Sequence, residues 1–489
     1  MSRRVLFFFV STTRGEGVRT VASAAIIMRD TSAAFRVSFF LLIAACLLGC
    51  ASPEKHAPLP LSFPEAFSES GSGRVPDRWW IAFEDPRLNA QVNRALASNF
   101  DLKTAWQRLQ EARAVVERES ASLLPDAEGL AQGELSGGEP GTEERLRLGL
   151  TSSYELDLWG RIRSSIEAER FRAEATREEY QAAALSLAAE VALTWYRIAE
   201  ARDQQGLLER QVATNETALR LLRARFAGGQ IRAVDILRQR RLVEATKEQQ
   251  LSVESRLQVL RHQLAVLLGL PPQQGLEAVR PAWPEIPPLP DTGLPVELIR
   301  RRPDVRSAYR RVQAADRDLA AAISNQYPRL NLTAALSTAE DGASRLFADW
   351  ARSFSGDLTA PLIDAGRRAA EVDRTEALKK QRLFEYGQAV LRAFQEVEDA
   401  LIREEKAAQR IHSLEQQVRL AERALKRLRT EYFNGAADFL DVLTARTEAQ
   451  ELRRNLLSAR LQRLEERIGL YRSLAGGFTA INEEDYVGS

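Results

Sequence analysis

The sequence predicts a mainly α-helical protein with a small amount of β-structure suited to a membrane. Three observations support this fold class. Two long runs rich in Ala, Glu, Arg and Leu exceed the usual length of a helix. Two shorter segments alternate between apolar and polar residues, which is typical of strands with one apolar face. The same order of segments occurs twice, so the fold contains an internal tandem repeat.

The composition excludes several classes of function. The chain has 489 residues, with 68 Lys and Arg against 67 Asp and Glu, so no net field selects nucleic acid as a partner. Its two cysteines, Cys46 and Cys50, both lie in an N-terminal apolar run, which leaves the rest of the chain without a disulfide or a thiolate metal site. The sequence has no phosphate-binding glycine loop and no nucleophile elbow. We therefore do not expect an enzyme.

Residues 1–50 are interpreted as an N-terminal extension followed by the signal peptide of a lipoprotein. The apolar run from Val37 to Gly49 is shorter than the ~20 residues that span a bilayer, and arginines precede it. A signal of ordinary length would begin at Met28, which we take as the translation start.

The end of this run, Leu47-Leu48-Gly49-Cys50, resembles the bacterial lipobox, in which the cysteine is lipidated and becomes the mature N-terminus. The resemblance implies a covalent lipid on Cys50 and no other cofactor. Because Ser52 is not an aspartate, it also implies sorting to the outer membrane. Cys46, at the end of the stretch IAAC, is the alternative site and has a shorter apolar run before it.

The duplication is visible when the chain is aligned with itself. The stretch LLRARFAGGQIRAVDIL matches RLRTEYFNGAADFLDVL, which places Gly229 on Gly435 and Asp235 on Asp441. A second block, FDLKTAWQRLQEARA, matches PDVRSAYRRVQAADR. The two halves are therefore expected to share one plan.

Each repeat is predicted to contain a helix, a β-hairpin, a long helix, a glycine turn and a final helix. The expected helices lie at 86–121, 160–225 and 233–268 in the first repeat and at 295–326, 366–431 and 439–474 in the second. At about 1.5 Å per residue each long helix measures ~100 Å, so the two shorter helices meet midway along it and run antiparallel to it. Coiled-coil spacing from Leu208 to Phe226, with Asn215 as a polar interruption, predicts side-by-side packing.

The domain boundaries follow from this plan. A connector with the sequence LPPQQGLEAVRPAWPEIPPLPDTGLP separates the repeats, because its prolines forbid a continuous helix. The predicted segments are a linker at 51–76, the first repeat at 77–269, the connector at 270–295, the second repeat at 296–475 and a C-terminal tail at 476–489.

The alternating segments predict two hairpins and thus four strands. From Leu146 to Leu158 the even positions are mostly apolar and the odd ones polar, and the second hairpin repeats the pattern from Arg329, with a return strand from about Trp350 to Leu362. Each strand is near the ~9–11 residues that cross a bilayer at a tilt. Two amphipathic hairpins packed on a soluble core are the alternative interpretation.

Four strands cannot close a barrel, and the open edges of a sheet in lipid would leave backbone groups without hydrogen-bond partners. Two copies would give eight strands and a bore filled by side chains. Three copies would give a twelve-stranded transmembrane β-barrel, continued by a barrel of long antiparallel helices. A conduit favours the homotrimer.

From about 77 to 475 the chain resembles the bacterial outer-membrane efflux proteins, the TolC-like family, and within it the lipoprotein branch of RND-type multidrug and metal efflux channels. The matching stretches are the lipobox, WWIAFEDPRLNAQVNRALASNFDL, YELDLWGRIRSS, LPVELIRRRPDVRSA and FNGAADFLDVLTARTEAQ. The resemblance implies a lipid-anchored homotrimer in the bacterial outer membrane, with its helical barrel in the periplasm.

The resemblance also implies a function. Such a protein is the outer-membrane channel of a tripartite efflux system, a passive exit duct for drugs or metal ions. Its partners are a periplasmic adaptor (membrane fusion) protein and an inner-membrane RND-type pump. The alternatives are a type I protein-secretion duct and a secreted coiled-coil structural lipoprotein without a pore.

In this family acidic residues narrow the bore at the turn end of the helices. The resemblance therefore implies a gate at Asp441 and Asp438, with Asp235 as the first-repeat counterpart of Asp441. Local roles explain the same residues: a helix cap contributes about 0.5–2 kcal/mol, and a carboxylate in the first helical turn contributes about 0.3–1 kcal/mol.

The resemblance further implies that the tips of the helical turns contact the adaptor. The residues expected there are Gly229, Arg232 and Gly435. Turn geometry alone also explains the two glycines.

Overall fold

The computed structural model describes residues 64–73, 75–138, 141–273, 283–341 and 346–474. All of them belong to one compact unit, Leu59–Ser489. The predicted signal region 1–50, with Met28 and Cys50, lies outside the described residues, as do the first part of the linker and the tail at 476–489.

The described residues form eight α-helices and four β-strands, preceded by a 3₁₀ turn at Trp79–Phe83. In chain order they are α1 (Pro86–Ser98), α2 (Phe100–Ala121), β1 (Asp126–Gly138), β2 (Gly141–Leu156), α3 (Arg161–Ala227), α4 (Ala233–Leu267), α5 (Pro295–Arg301), α6 (Pro303–Ser324), β3 (Arg329–Glu340), β4 (Ala351–Thr359), α7 (Arg367–Phe433) and α8 (Phe439–Leu474). Each repeat thus has the same order of elements, as the duplication predicts.

The helix expected ahead of each hairpin is in fact two helices. Asn99 separates α1 from α2 with ψ at 129°, and Arg302 separates α5 from α6 with ψ at 123°. Asn99 caps α2, because its Oδ1 accepts a hydrogen bond from the Leu102 N–H at 3.0 Å. Arg302 precedes Pro303, and a proline disfavours helical backbone at the residue before it.

The two long helices match the expected segments closely. Helices α3 and α7 have 67 residues each, or about 100 Å. Each follows a glycine with positive φ, Gly160 at 76° and Gly366 at 82°. Just upstream, Asp157 and Asp364 accept hydrogen bonds from the second N–H of the helix at 3.1 and 3.3 Å, so the strand-to-helix junction is repeated. No helix in the part of the chain that the structure describes is both long and apolar enough to cross a membrane.

The shorter helices run antiparallel to the long ones. Glu216 of α3 pairs with Lys247 of α4 at 3.0 Å, and Glu200, further back along α3, pairs with Arg256. Helix α6 crosses from the second repeat onto α3 in the same reversed order: Arg306 pairs with Glu178 at 2.6 Å, Arg310 with Glu174 at 3.0 Å and Arg317 with Glu167 at 3.1 Å. Pairs with both side chains at the surface contribute only about 0.2–1 kcal/mol each. The carboxylates of Glu178 and Glu200 are buried, so their arginine partners compensate charges that would otherwise be costly to bury.

The largest apolar core lies midway along α3. Its buried aromatic members are Trp79, Trp80, Phe83, Tyr180, Trp195, Tyr196 and Tyr471. The indole N–H of Trp195 donates to Asp85 Oδ2 at 2.8 Å, and the other carboxylate oxygen of Asp85 caps α1. Ser98 Oγ donates to the Leu268 carbonyl at 2.7 Å, which joins the break after α1 to the end of α4. The shorter helices of the first repeat therefore meet midway along the long one, as predicted.

Part of the predicted linker packs on the body of the protein. The Gly71 N–H donates to the Pro290 carbonyl of the connector at 3.0 Å. Phe67 is buried, and its ring lies edge-on to that of Phe394 with 6.2 Å between the centroids. Residues 64–73 and the end of the connector thus form one surface layer.

The four strands form one antiparallel sheet in the order β1-β2-β3-β4. Apolar positions of neighbouring strands lie opposite one another: Ala131 with Leu148, Leu150 with Leu336 and Ala334 with Phe354. The predicted alternation is thus confirmed as one shared apolar face, with polar side chains on the other. Strand β4 ends at Thr359 and not at Leu362, because Pro361 has no N–H for the ladder.

We predict that Asn99→Ala lowers the free energy of unfolding by about 0.5–2 kcal/mol, because α2 loses its cap. The Leu267 carbonyl also loses its donor, Asn99 Nδ2, at 3.1 Å. Denaturant unfolding of the purified protein measures the change. Asn93→Ala, on the exposed side of α1, is the matched control and should leave the free energy unchanged. Equal effects of both substitutions would contradict the capping role.

Candidate functional site at the helical turns

Two turns, one between α3 and α4 and one between α7 and α8, lie at the ends of the long helices away from the sheet. Gly229 and Gly435 adopt left-handed backbone there, with φ of 70° and 76°. Their N–H groups donate to the carbonyls of Phe226 at 2.8 Å and Tyr432 at 3.2 Å. An added Cβ would meet no atom at either glycine, so the backbone conformation alone requires glycine.

The ends of the two long helices contact each other through an arginine. The guanidinium of Arg225 lies 5.1 Å from the ring centre of Tyr432 and 5.0 Å from that of Phe433, within the cation–π range. Tyr432 also packs against Phe439 at 5.8 Å. Sequence reasoning missed this contact, because the arginine belongs to one repeat and the aromatic residues to the other.

Asp438 and Asp441 lie at the start of α8, and both are exposed. The Asp438 N–H donates to Asp441 Oδ2 at 3.2 Å, and the Asp441 N–H donates to the Asp438 carbonyl at 3.2 Å. The Asp441 carboxylate thus accepts from the N–H of the residue that precedes α8, as the acidic partner does in a capping box.

Asp235 differs from its duplicated counterpart. Its side chain is buried, with 4% of its surface exposed. It lies 3.7 Å from Arg232 and 3.7 Å from Arg238, one turn before and one turn after it. Asp441 is exposed, so the structure gives the two aspartates different surroundings.

The predicted adaptor-contact residues lie at the surface. The Arg232 side chain is 70% exposed, and Gly229 and Gly435 are exposed as well. All three are accessible to a partner at the tips of the turns.

A buried polar cluster joins α3, α4 and α8 some turns away from the tips. Asn215 Nδ2 donates to Thr246 Oγ1 at 3.1 Å and to Gln450 Oε1 at 3.2 Å, and Gln450 Nε2 donates back to Asn215 Oδ1 at 3.1 Å. Gln239 Nε2 donates to the Asn215 carbonyl at 2.9 Å. The break in apolar spacing at Asn215 signalled this position, but its partners come from two other helices. Buried hydrogen bonds of this kind specify one register of packing.

Known proteins are similar to this chain over most of its length. The family model described as outer membrane efflux protein matches residues 91–270 and 294–476. The pyoverdine export outer membrane protein OpmQ of Pseudomonas aeruginosa is 30% identical over 460 residues, which cover 89% of this chain and 96% of OpmQ. The cation efflux system protein CusC of Escherichia coli K12 is 28% identical over 89% of this chain and 98% of CusC.

A solved structure is similar over nearly the same length. The open state of the MtrE outer membrane channel of Neisseria gonorrhoeae matches with a TM-score of 0.80 and 28% identity, over 88% of this chain and 99% of that chain. The family model covers both repeats and most of the described residues. The chain therefore belongs to the outer membrane efflux protein family.

Proposed function

We propose that this outer-membrane efflux protein forms a homotrimeric channel, the passive exit duct of a tripartite efflux system. One observation carries the proposal. The four-stranded sheet has an apolar face, a polar face and two outer strands, β1 and β4. A ring of such sheets separates lipid from water, and the long helices extend the ring on one side of the membrane.

The outer strands require partners from other copies. In lipid, each backbone group without a hydrogen bond costs several kcal/mol, and β1 and β4 have 13 and 9 residues. The strand order lets β4 of one copy pair antiparallel with β1 of the next. Three copies give twelve strands and an aqueous bore, whereas an eight-stranded barrel is filled by its own side chains.

The two faces of the sheet fit lipid and water. On the apolar face Leu135 is 72% exposed and Phe354 is 75% exposed in the single chain. On the opposite face the register places Glu134 across from Arg145. An outward apolar face and an inward polar face are the arrangement of an outer-membrane channel.

The proposed cargo is a small solute, either a drug or a metal ion. OpmQ is named for pyoverdine export and CusC for cation efflux, so relatives of similar identity serve different solutes. A duct of this type guides its cargo without a selective binding site and without a catalytic step, so we propose no enzymatic activity. The cargo would arrive from an inner-membrane RND-type pump through a periplasmic adaptor, which would bind the exposed tips at Gly229, Arg232 and Gly435.

We place the gate at Asp438 and Asp441. In a trimer the turns of three copies surround one axis, so these exposed carboxylates would form a ring. A ring of carboxylates attracts cations and repels anions. Asp235 would contribute less to the attraction of cations, because it is buried and has two arginine neighbours.

We also propose a lipid on Cys50, which is supported by the lipobox in the sequence. The lipid would tether the N-terminus to the membrane that the sheet spans.

Single-channel conductance and the mass of the oligomer test the proposed channel. The purified full-length protein should run as a trimer in native mass spectrometry and give discrete conductance steps in planar bilayers, because closure of the barrel needs three copies. A monodisperse monomer in detergent-free buffer would contradict the channel. A membrane-bound oligomer without conductance steps would instead favour the pore-free structural lipoprotein.

We predict that Asp441→Asn lowers the permeability ratio of cations to anions, because it removes the charge while Asn keeps an oxygen for the Asp438 N–H. Reversal potentials in a salt gradient measure the ratio. The matched control is Asp235→Asn, which changes the duplicated position and should have the smaller effect. Identical ratios for wild type and Asp441→Asn would remove Asp441 from the gate.

We predict that Cys50→Ala abolishes incorporation of radiolabelled palmitate, while Cys46→Ala retains it. The Cys50→Ala protein should still insert through its sheet if it is given a cleavable non-lipoprotein signal. Label that persists in Cys50→Ala and disappears in Cys46→Ala would move the lipid to Cys46.

A further inference from the structure

A cavity of about 360 Å³ lies near the helical turns, between α3 on one side and α7 and α8 on the other. Its wall is mainly apolar and contains two arginines and no carboxylate. The lining residues that determine its chemistry are Leu221, Arg429, Tyr432, Phe433, Val442 and Arg446. The volume lies near the lower end of the range for small-molecule sites, about 300–1,000 Å³.

Arg446 of α8 is the unusual member of this wall. Its side chain is 93% buried, since only 7% of the residue surface is exposed. Its Nη1 is buried and donates to no acceptor among the residues that the structure describes. Within those residues the guanidinium forms no ion pair, whereas the buried Arg467 pairs with Glu404.

A second polar group in the wall also has no partner. The Tyr432 hydroxyl is buried and forms no hydrogen bond with any described residue. The hydroxyls of Thr214 and Thr217 differ, because they donate to carbonyls of their own helix at 2.8 and 2.9 Å. The cavity, which is partly open to solvent, therefore offers two unsatisfied donors, Arg446 and Tyr432, in a mainly apolar wall.

An uncompensated buried cation is costly, because it has lost water without gaining a counter-charge. Burial lowers the pKa of Arg446, and the nearby charge of Arg429 lowers it further. No carboxylate in the wall of the cavity offsets either effect. An anion in the cavity would pair with the guanidinium and accept a hydrogen bond from the Tyr432 hydroxyl.

We propose that this cavity binds an organic anion whose carboxylate or sulfonate pairs with Arg446 and whose apolar body lies among the side chains of α3 and α7. The wall fits such a ligand better than an inorganic ion, because Leu221, Phe433 and Val442 would contact a hydrocarbon body. The bound anion would join α3 of the first repeat to α7 and α8 of the second at the turn end of the protein.

Binding of para-trifluoromethylbenzoate tests the proposal. The probe is titrated by fluorine NMR into the full-length protein in lipid nanodiscs, with the neutral para-trifluoromethylbenzamide as matched ligand. Saturable binding of the benzoate is expected, with the benzamide about tenfold weaker or more, as a lost charged hydrogen bond implies. Equal affinity for both ligands would overturn the proposal.

Substitutions in the wall of the cavity test whether the benzoate binds there. Arg446→Gln should weaken benzoate binding about tenfold, and Tyr432→Phe should weaken it less. Arg423→Gln, at an exposed position of α7, is the control and should leave the affinity unchanged. The same affinity in Arg446→Gln and wild type would overturn the proposal.

The melting temperature of Arg446→Gln shows whether the partner of Arg446 is a free anion or a carboxylate supplied by a neighbouring copy. Without probe, Arg446→Gln should leave the melting temperature of the trimer unchanged or raise it, because the substitution removes an uncompensated charge. A lower melting temperature, together with no benzoate binding by wild type, would assign Arg446 to an acidic residue across a subunit interface and overturn the proposal.

Discussion

The need of the outer strands for partners in lipid is the constraint on which the architecture depends. A bilayer offers no hydrogen bonds, so a sheet with β1 and β4 at its ends must be completed by other copies. Closure of the barrel in turn requires one apolar and one polar face of the sheet, because lipid lies on one side and water on the other. It also sets the positions from which the long helices begin, since each helix follows a strand through a short junction.

Those junctions connect the sheet to the turns about 100 Å away. Gly160 and Gly366 adopt the same left-handed backbone, and an aspartate upstream of each caps the helix that follows. The long helices need support along their length, and the aromatic core around Trp195 supplies it where the shorter helices meet. The position of the turns therefore depends on packing midway along the long helices and on the strand-to-helix junctions.

The two repeats share a plan but not their contacts. Asp235 is buried between arginines, whereas Asp441 is exposed at the start of its helix. At the turns the first repeat contributes Arg225 and the second contributes the aromatic rings on which it lies. Duplicated residues therefore have different surroundings, because each repeat packs against the other and not against a copy of itself.

Local periodicity was enough to predict the long helices and the alternating strands, because it depends only on neighbouring residues. The duplication came from aligning the chain with itself, and the family from the resemblance of several sequence stretches. The break at Arg302 was also within reach of the sequence, since Pro303 follows it. The burial of individual side chains could not be predicted from the sequence, because it depends on helices that are distant along the chain. The isolation of Arg446, the burial of Asp235 and the partners of Asn215 arose only when the helices packed together, since packing decides which polar groups lose water and which find a partner.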